Sequence, residues 1–455
     1  MRGDDSNCDG IANGGCECIA GEQTTCGQER GSLGVCSART IVCNNSGRWP
    51  AASACAPSSP EVCDNTLDDD CDGVVNEDAA CDECTETCFC EDGACAELVD
   101  IDATTDAICL LTASGSVWCW GQNSAGQVGV PGFQNQLQPR RVDQVAGGRG
   151  IAVGSNATCA LRDDQTVVCW GTNNNGQLGN NDVSDLSVFP VQVVTDANAP
   201  LSQITKIVSG NDFKCALRST DGSVLCWGTV VGDGRTGGSP VAVPTLRSAN
   251  SVLLGVGDIE AGSAFTLARA GASWVSWGSG VGGVLGQGDV NLSRFASAVL
   301  AQPNPSFVSA DASSRGACAS TAAGDVYCWG DEALLGGLGS GEVSAPARFP
   351  ILDDTRSFAL GGQVGLATDA TGTLRAFGDA DNQASGLGGL LTGDVPPTPI
   401  PGIGPVKVAT VGGNFACAIL LDDTVNCWGL NNRGQLGNGT TTSSVTPTPA
   451  LPIRE

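Results

Sequence analysis

An aromatic residue followed by Gly stands at Trp120, Trp170, Trp227, Trp277, Trp329, Phe377 and Trp428, at spacings of 50, 57, 50, 52, 48 and 51 residues. Nothing else in the chain constrains its fold as strongly, because self-similarity at a fixed period of about fifty residues is the signature of a repeat architecture. The clearest unit reads Val168-Cys169-Trp170-Gly171, an Asn/Gly loop, then Gly176-Gln177-Leu178-Gly179.

Each unit is a short apolar run, a Gly-rich turn, Cys-Ala-Leu or its equivalent, a tight turn, and an alternating run that ends in Cys-Trp-Gly. Runs such as Thr166-Val167-Val168-Cys169-Trp170 and Asp325-Val326-Tyr327-Cys328-Trp329 are short, rich in β-branched or aromatic residues, and bounded by Gly, Asn and Asp. They predict strands, and no window carries a helical apolar period. Small antiparallel sheets that cannot bury their faces alone close into a β-propeller, which leaves only short edges. Seven units predict seven blades over residues 97–455, an all-β fold. Residues 447–453 look like the opening segment of a further unit, so one blade is expected to be shared by both ends of the ring.

The units resemble the regulator of chromosome condensation repeat, whose pattern runs Leu-Ala-Leu, a turn, Val-Tyr-x-Trp-Gly and Gly-Gln-Leu-Gly in this order. The resemblance implies the seven-bladed propeller but no function, since propellers host many. The aromatic residue before each Gly and the Leu of Gly-Gln-Leu-Gly read as packing between neighbouring blades.

Ten propeller cysteines fall into positional pairs: Cys109 with Cys119, Cys159 with Cys169, Cys215 with Cys226, Cys318 with Cys328, and Cys417 with Cys427. Residues ten apart across a tight turn lie opposite one another, within disulfide reach. Units four and six lack both members, with Thr266 and Ser276, then Gly365 and Ala376, at the matching positions.

Twenty-four Cys and no His bound the chemistry. Heavy, even cysteine usage, with 14 in the first 95 residues, reads as a disulfide framework outside a reducing compartment. Without His, the Ser-His and Cys-His nucleophile arrangements and the commonest zinc ligand are missing. A net charge of −27 argues against nucleic acid and anionic membranes as partners. No apolar run approaches the ~18–20 residues of a membrane span. Residues 1–96 carry 19 Asp+Glu against 4 Arg, a net −15, leaving −27 + 15 = −12 for the rest.

Within that Cys-rich acidic region, Asp5-Ser6-Asn7-Cys8-Asp9-Gly10-Ile11-Ala12-Asn13 is repeated as Asp68-Asp69-Asp70-Cys71-Asp72-Gly73-Val74-Val75-Asn76. Oxygen side chains at positions 1, 3, 5 and 9 with Gly at 6 are how a short loop wraps a hard cation. The expected ligand is calcium, held by Asp5, Asn7, Asp9 and Asn13, and by Asp68, Asp70, Asp72 and Asn76 with Glu77 nearby. The alternative is an acidic turn pinned by disulfides, in which Asp and Asn supply turn chemistry only. The second copy also resembles the Cys-Asp-Gly metal-binding motif of exported bacterial proteins. The run from Cys81 to Cys95 reads as disulfides, with a tetrahedral thiolate site as the lesser alternative. The opening residues look like the tail of a motif met again downstream, which predicts an export signal further upstream.

These features predict a non-catalytic, exported, monomeric binding protein at a bacterial cell surface or outside the cell. Its propeller loop face would engage a protein or a glycan, over a calcium-stabilised N-terminal region. The alternatives are a structural envelope spacer and a propeller glycosidase or lyase, the last requiring convergent carboxylates of raised pKa in one pocket.

Overall fold

The computed structural model describes residues 23–25, 40–42, 88–91, 94–183, 186–300, 305–335, 341–389 and 391–451. The chain divides into two compact units, the larger spanning Glu97–Pro452. In the smaller unit, Gln23–Thr25 pairs antiparallel with Thr40–Val42, and Cys90–Glu91 pairs with Ala94–Cys95. Cys88 is disulfide-bonded to Cys95, and Cys90 also lies in a disulfide, which removes these three as thiolate ligands.

The larger unit is a ring of seven four-stranded antiparallel sheets over residues 98–141, 148–192, 204–244, 256–298, 307–348, 355–399 and 406–449, numbered here as blades 1 to 7. In every blade the strands neighbour one another in sequence order. Blade 2 is typical, with Gly148–Val153, Ala157–Arg162, Val167–Thr172 and Leu186–Gln192. The first strands of all seven blades line an axial cavity of about 480 Å3, so they are innermost. In an antiparallel blade, the first-to-second and third-to-fourth connections leave from one end, called the upper face here. The other connections leave from the lower face.

No blade is shared between the chain ends. Ser444–Pro449 pairs with Val425–Gly429 as the outer strand of blade 7, while Leu98–Ala103 opens blade 1, whose four strands are consecutive. The Pro-rich C-terminal segment misleads because the outer strand of a blade is itself Pro-rich. Pro139, Pro190, Pro346, Pro397 and Pro447 each precede the residue paired with the third strand's Cys or its equivalent. Such a Pro removes an outward N–H from an exposed sheet edge. In blade 3 that position is Ala242, and its N–H is taken instead by the Val194 carbonyl at 2.9 Å.

The five expected disulfides all form, each between residues in direct cross-strand register. Their Cα atoms lie 4.0–4.1 Å apart, at the short end because the strands pair closely there. The two blades without cysteines keep the same register, and the residue at the first cysteine's place is one later than expected. Ser276 faces Leu267 rather than Thr266, and Ala376 faces Leu366 rather than Gly365. A buried Leu beside a small residue fills the space of the missing bridge.

Candidate functional site

The repeated motif is spent on joining blades. In blade 2 the Asn173 side chain accepts from Leu178 N at 3.0 Å and the Gln177 side chain accepts from Asn175 N at 2.8 Å, which fixes the Asn/Gly loop. The shaped loop then presents the Gln177 carbonyl to Trp227 Nε1 of blade 3 at 2.9 Å. Gly179 has φ +64, and a Cβ there would lie 2.8 Å from the Trp227 ring, so only Gly permits the contact. The same indole tie joins Trp170 to Gln127, Trp329 to Val284 and Trp428 to Ala384, at 2.8–2.9 Å. All six Trp of the repeat and Phe377 are fully buried, as the packing role requires.

Two joints lack this tie. Between blades 3 and 4, Trp277 Nε1 is buried with no acceptor, facing the irregular loop after Gly228. Between blades 5 and 6, Phe377 has no N–H to give.

Both joints are bridged instead at the axis. Lys206 of blade 3 binds Asp258 at 2.8 Å and Glu260 at 2.5 Å, both on the first strand of blade 4. Asp311 of blade 5 accepts from Leu360 N of blade 6 at 2.7 Å. A third axial bridge runs from Val153 N of blade 2 to Asp102 of blade 1 at 2.7 Å, with the other Asp102 oxygen accepting from Ala103 N.

These axial carboxylates converge on one cavity, lined by Asp100, Asp102, Glu260 and Asp311, with Lys206 and Arg149 as the lining cations. Burial pushes Asp102 up to about 7 against its bond from Val153 N, and the charges of Asp100 and Glu260 add to the rise. Burial, then the charges of Glu260 and Asp102, pushes Asp311 up to about 8. Burial also raises Glu260 and Asp100. For Lys206 burial alone would lower the amine, but Glu260 and Asp258 outweigh it and hold it above its ordinary value. Just behind this wall Lys214 is fully buried, its Nζ without a hydrogen-bond partner beside Ser209 and Gly210, and burial lowers it to about 8. A side chain on Gly154 would start 2.5 Å from that Nζ.

Exposed apolar side chains stand on both faces, with Leu254, Leu300, Ile351 and Leu421 on the lower one. On the upper face, on third-to-fourth connections, are Phe133, Val183, Val281, Val290 and Leu292. Gly280 packs against the Asn291 carbonyl, which gathers Val281 (76 % exposed), Val290 and Leu292 at one place on blade 4. The long connection 182–204 resolves into the outer strand of blade 2 and a small hairpin, closed by Thr195 N to the Ala199 carbonyl, that adds Val194 to the edge of blade 3.

All nine expected metal ligands, Asp5, Asn7, Asp9, Asn13, Asp68, Asp70, Asp72, Asn76 and Glu77, lie outside the described residues. Among the described residues no group of three or more His, Cys, Asp or Glu could hold a metal ion, and no helix is long and apolar enough to cross a membrane.

Comparison with known proteins places the repeat. Two models of the regulator of chromosome condensation (RCC1) repeat match, one at residues 98–127, 149–177 and 406–435 and the other at 114–161, 164–217 and 422–454. The E3 ubiquitin-protein ligase HERC2 of Homo sapiens is 29% identical over 361 residues, covering 74% of this chain and 7% of that protein. The ultraviolet-B receptor UVR8 of Arabidopsis thaliana is 28% identical over 197 residues, 42% of this chain and 44% of the receptor. The chain thus spans a small part of one relative and under half of the other. Among solved structures, Prp20p from Saccharomyces cerevisiae superposes with a TM-score of 0.63 at 19% identity, over 78% of this chain and 87% of its own. Human WBSCR16 gives 0.64 at 20% identity, over 74% and 94%. RCC1 repeats are thus matched within residues 98–217 and 406–454, and the fold is a seven-bladed propeller.

Proposed function

We propose that this protein is a non-catalytic, exported binding module that engages a protein or glycan through the upper face of its propeller. The observation that carries the reading is the division of labour within each repeat. Trp, Gln and Asn are consumed in joints, whereas Phe133, Val183, Val281, Val290 and Leu292 stand exposed where packing gives them no task. Exposed apolar clusters on rigid loops mark interaction sites. Prp20p, of the same fold, is described by its binding to Gsp1p and histones, which supports a protein-binding use of such a ring. Five disulfides in one ring, a pattern suited to an oxidising compartment, support export. The excess of acid disfavours nucleic acid, calcium would order the acidic N-terminal loops, and the molecule would act as a monomer.

The glycosidase or lyase alternative gains support from the convergent carboxylates of raised pKa at the axis. Against it, both Asp102 oxygens are occupied by main-chain N–H groups, and Glu260 is held by Lys206. Such groups tie blades and are not poised for substrate.

Two assays separate the readings. Sedimentation of the purified protein with envelope fractions of its source should be lost in Val281→Asp/Leu292→Asp and kept in Leu421→Asp on the lower face. Equal sedimentation of all three proteins would overturn the upper-face reading. Release of reducing sugar from envelope polysaccharide that disappears in Asp311→Asn would establish the enzyme instead.

A further inference from the structure

We propose that Asn291, on the upper face of blade 4, accepts an N-linked glycan from a transferase that recognises it through Asp289 and Ser293.

Four Asn-x-Ser/Thr triplets in which x is not Pro occur in the chain, at Asn44, Asn156, Asn291 and Asn438. Such a triplet can be modified in a folded protein only where the Asn carboxamide is exposed and the hydroxyl two residues on can be reached. Asn44-Asn45-Ser46 lies outside the described residues. In Asn156-Ala157-Thr158 the Thr is fully buried, its hydroxyl donating to the Gln127 carbonyl at 2.9 Å. In Asn438-Gly439-Thr440 the Asn438 side-chain oxygen accepts from Thr440 N at 3.1 Å and from the Thr440 hydroxyl at 2.8 Å, so the loop itself uses both groups. Asn291-Leu292-Ser293 differs from these, because Asn291 is exposed between exposed Val290 and Leu292. It is also the one triplet with an acid two residues before the Asn, Asp289, where the others have Val42, Gly154 and Leu436. A carboxylate at that place is the feature by which bacterial oligosaccharyltransferases select among such triplets.

The Ser of this triplet is framework, and the Asn is not. Ser293 pairs with Gly278 of the Trp-Gly, and Ser187, Ser239 and Ser444 stand opposite the same Gly in blades 2, 3 and 7. In all four the hydroxyl donates to the carbonyl two residues on, at 2.7–2.8 Å, and a donating hydroxyl keeps lone pairs with which to accept. At the place of Asn291 the other three blades carry Asp185, Gly237 and Thr442, so the repeat does not demand an Asn there. The Asn291 main chain is held, its N–H donating to Asp289 at 3.1 Å and its carbonyl abutting Gly280. The side chain and N–H of Asn291 keep the exposed Asp289 carboxyl below its ordinary value, so the charge stands beside the acceptor.

In the transfer, Asn291 Nδ2 forms a bond to C1 of a sugar carried on a polyprenyl pyrophosphate. The sugar C1–O bond breaks, its electron pair leaves with the pyrophosphate, and the amide proton goes to a base of the transferase. Transfer takes place after translocation, so the site rests on the export reading. The glycan stands among Val281, Val290 and Leu292 and covers that cluster in the molecules that carry it.

Mass spectrometry of the full-length protein isolated from its source tests the site. The tryptic peptide 270–294 contains no other triplet. It should carry a sugar increment at Asn291 that is lost in Asn291→Gln and in Ser293→Ala. Asp289→Asn keeps an acceptor for Asn291 N and removes only the charge, so the increment should be lost there too, with the melting temperature of wild type. A bare peptide from disulfide-bonded protein in the exported fraction would overturn the site and leave export standing. A bare peptide from reduced protein inside the cell would overturn both. An increment undiminished in Asn291→Gln or in Asp289→Asn would equally contradict the assignment.

Discussion

Trp120 Nε1 donates to the Gln435 carbonyl at 2.9 Å, across 315 residues of sequence, and this bond closes the ring. Around it, Gln435 Nε2 reaches Asp106 at 3.0 Å, Asp423 accepts from Leu98 N at 3.1 Å, and Lys407 lies 3.7 Å from Glu97. Closure therefore uses the joint found between consecutive blades, with no strand exchanged between the chain ends.

Trp120→Phe should destabilise the propeller by about 1–3 kcal/mol, because a buried carbonyl loses its donor. Trp277→Phe should cost less in hydrogen bonding, since its indole N–H has no acceptor to lose. Denaturant titration of the two variants measures the difference, and equal costs would count against the tie.

The ten propeller cysteines should yield no free thiol when the unreduced protein is denatured and alkylated. Closing so short a loop contributes about 2–4 kcal/mol per bridge. Cys417→Ala/Cys427→Ala should fall in that range, and peptide mapping checks the pairs.

Stability should fall as pH rises from about 4 to about 8. Asp102 and Asp311 have folded values of about 7 and about 8, above the unfolded 3.8, so the folded state holds the extra protons and its advantage is lost through that window. Lys214 has the opposite sign. Its folded value of about 8 lies below the unfolded 10.5, so loss of its proton restores stability between those two values. Lys214→Met should raise the melting temperature at neutral pH and abolish that recovery, which a pH series of thermal melts would show.

Calorimetric titration of the full chain should detect calcium uptake that weakens in Asp70→Ala/Asp72→Ala. Equal heats for the two proteins would leave the acidic loops as disulfide-pinned turns.

Much of the ring is legible in the sequence because the same physical demand recurs at each joint. An aromatic ring buried against the next loop forces Trp-Gly, and cross-strand pairing forces the cysteines to appear together. The hydrogen bonds that shape the Asn/Gly loops leave a trace too, in the recurrence of Asn123, Asn173 and Asn431. Asp102, Glu260 and Asp311 leave no such trace, since Ala152 or Val208 stands at the matching place. Their one signal is a charge at the fifth place of a first strand, where the other blades carry Ala152, Val208, Ala359 and Thr410. Closure of the ring misled because the Pro-rich outer strand Ser444–Pro449 is short and turn-bounded like an opening strand, and only pairing tells them apart.

Site-specific photo-cross-linking in the native envelope tests the central claim most directly. A photoreactive side chain at Val281 should give a covalent adduct with one protein or glycan, whereas the same group at Leu421, 64 % exposed on the opposite face, should give none. Adducts from both positions alike, or from Leu421 alone, would contradict recognition through the upper face.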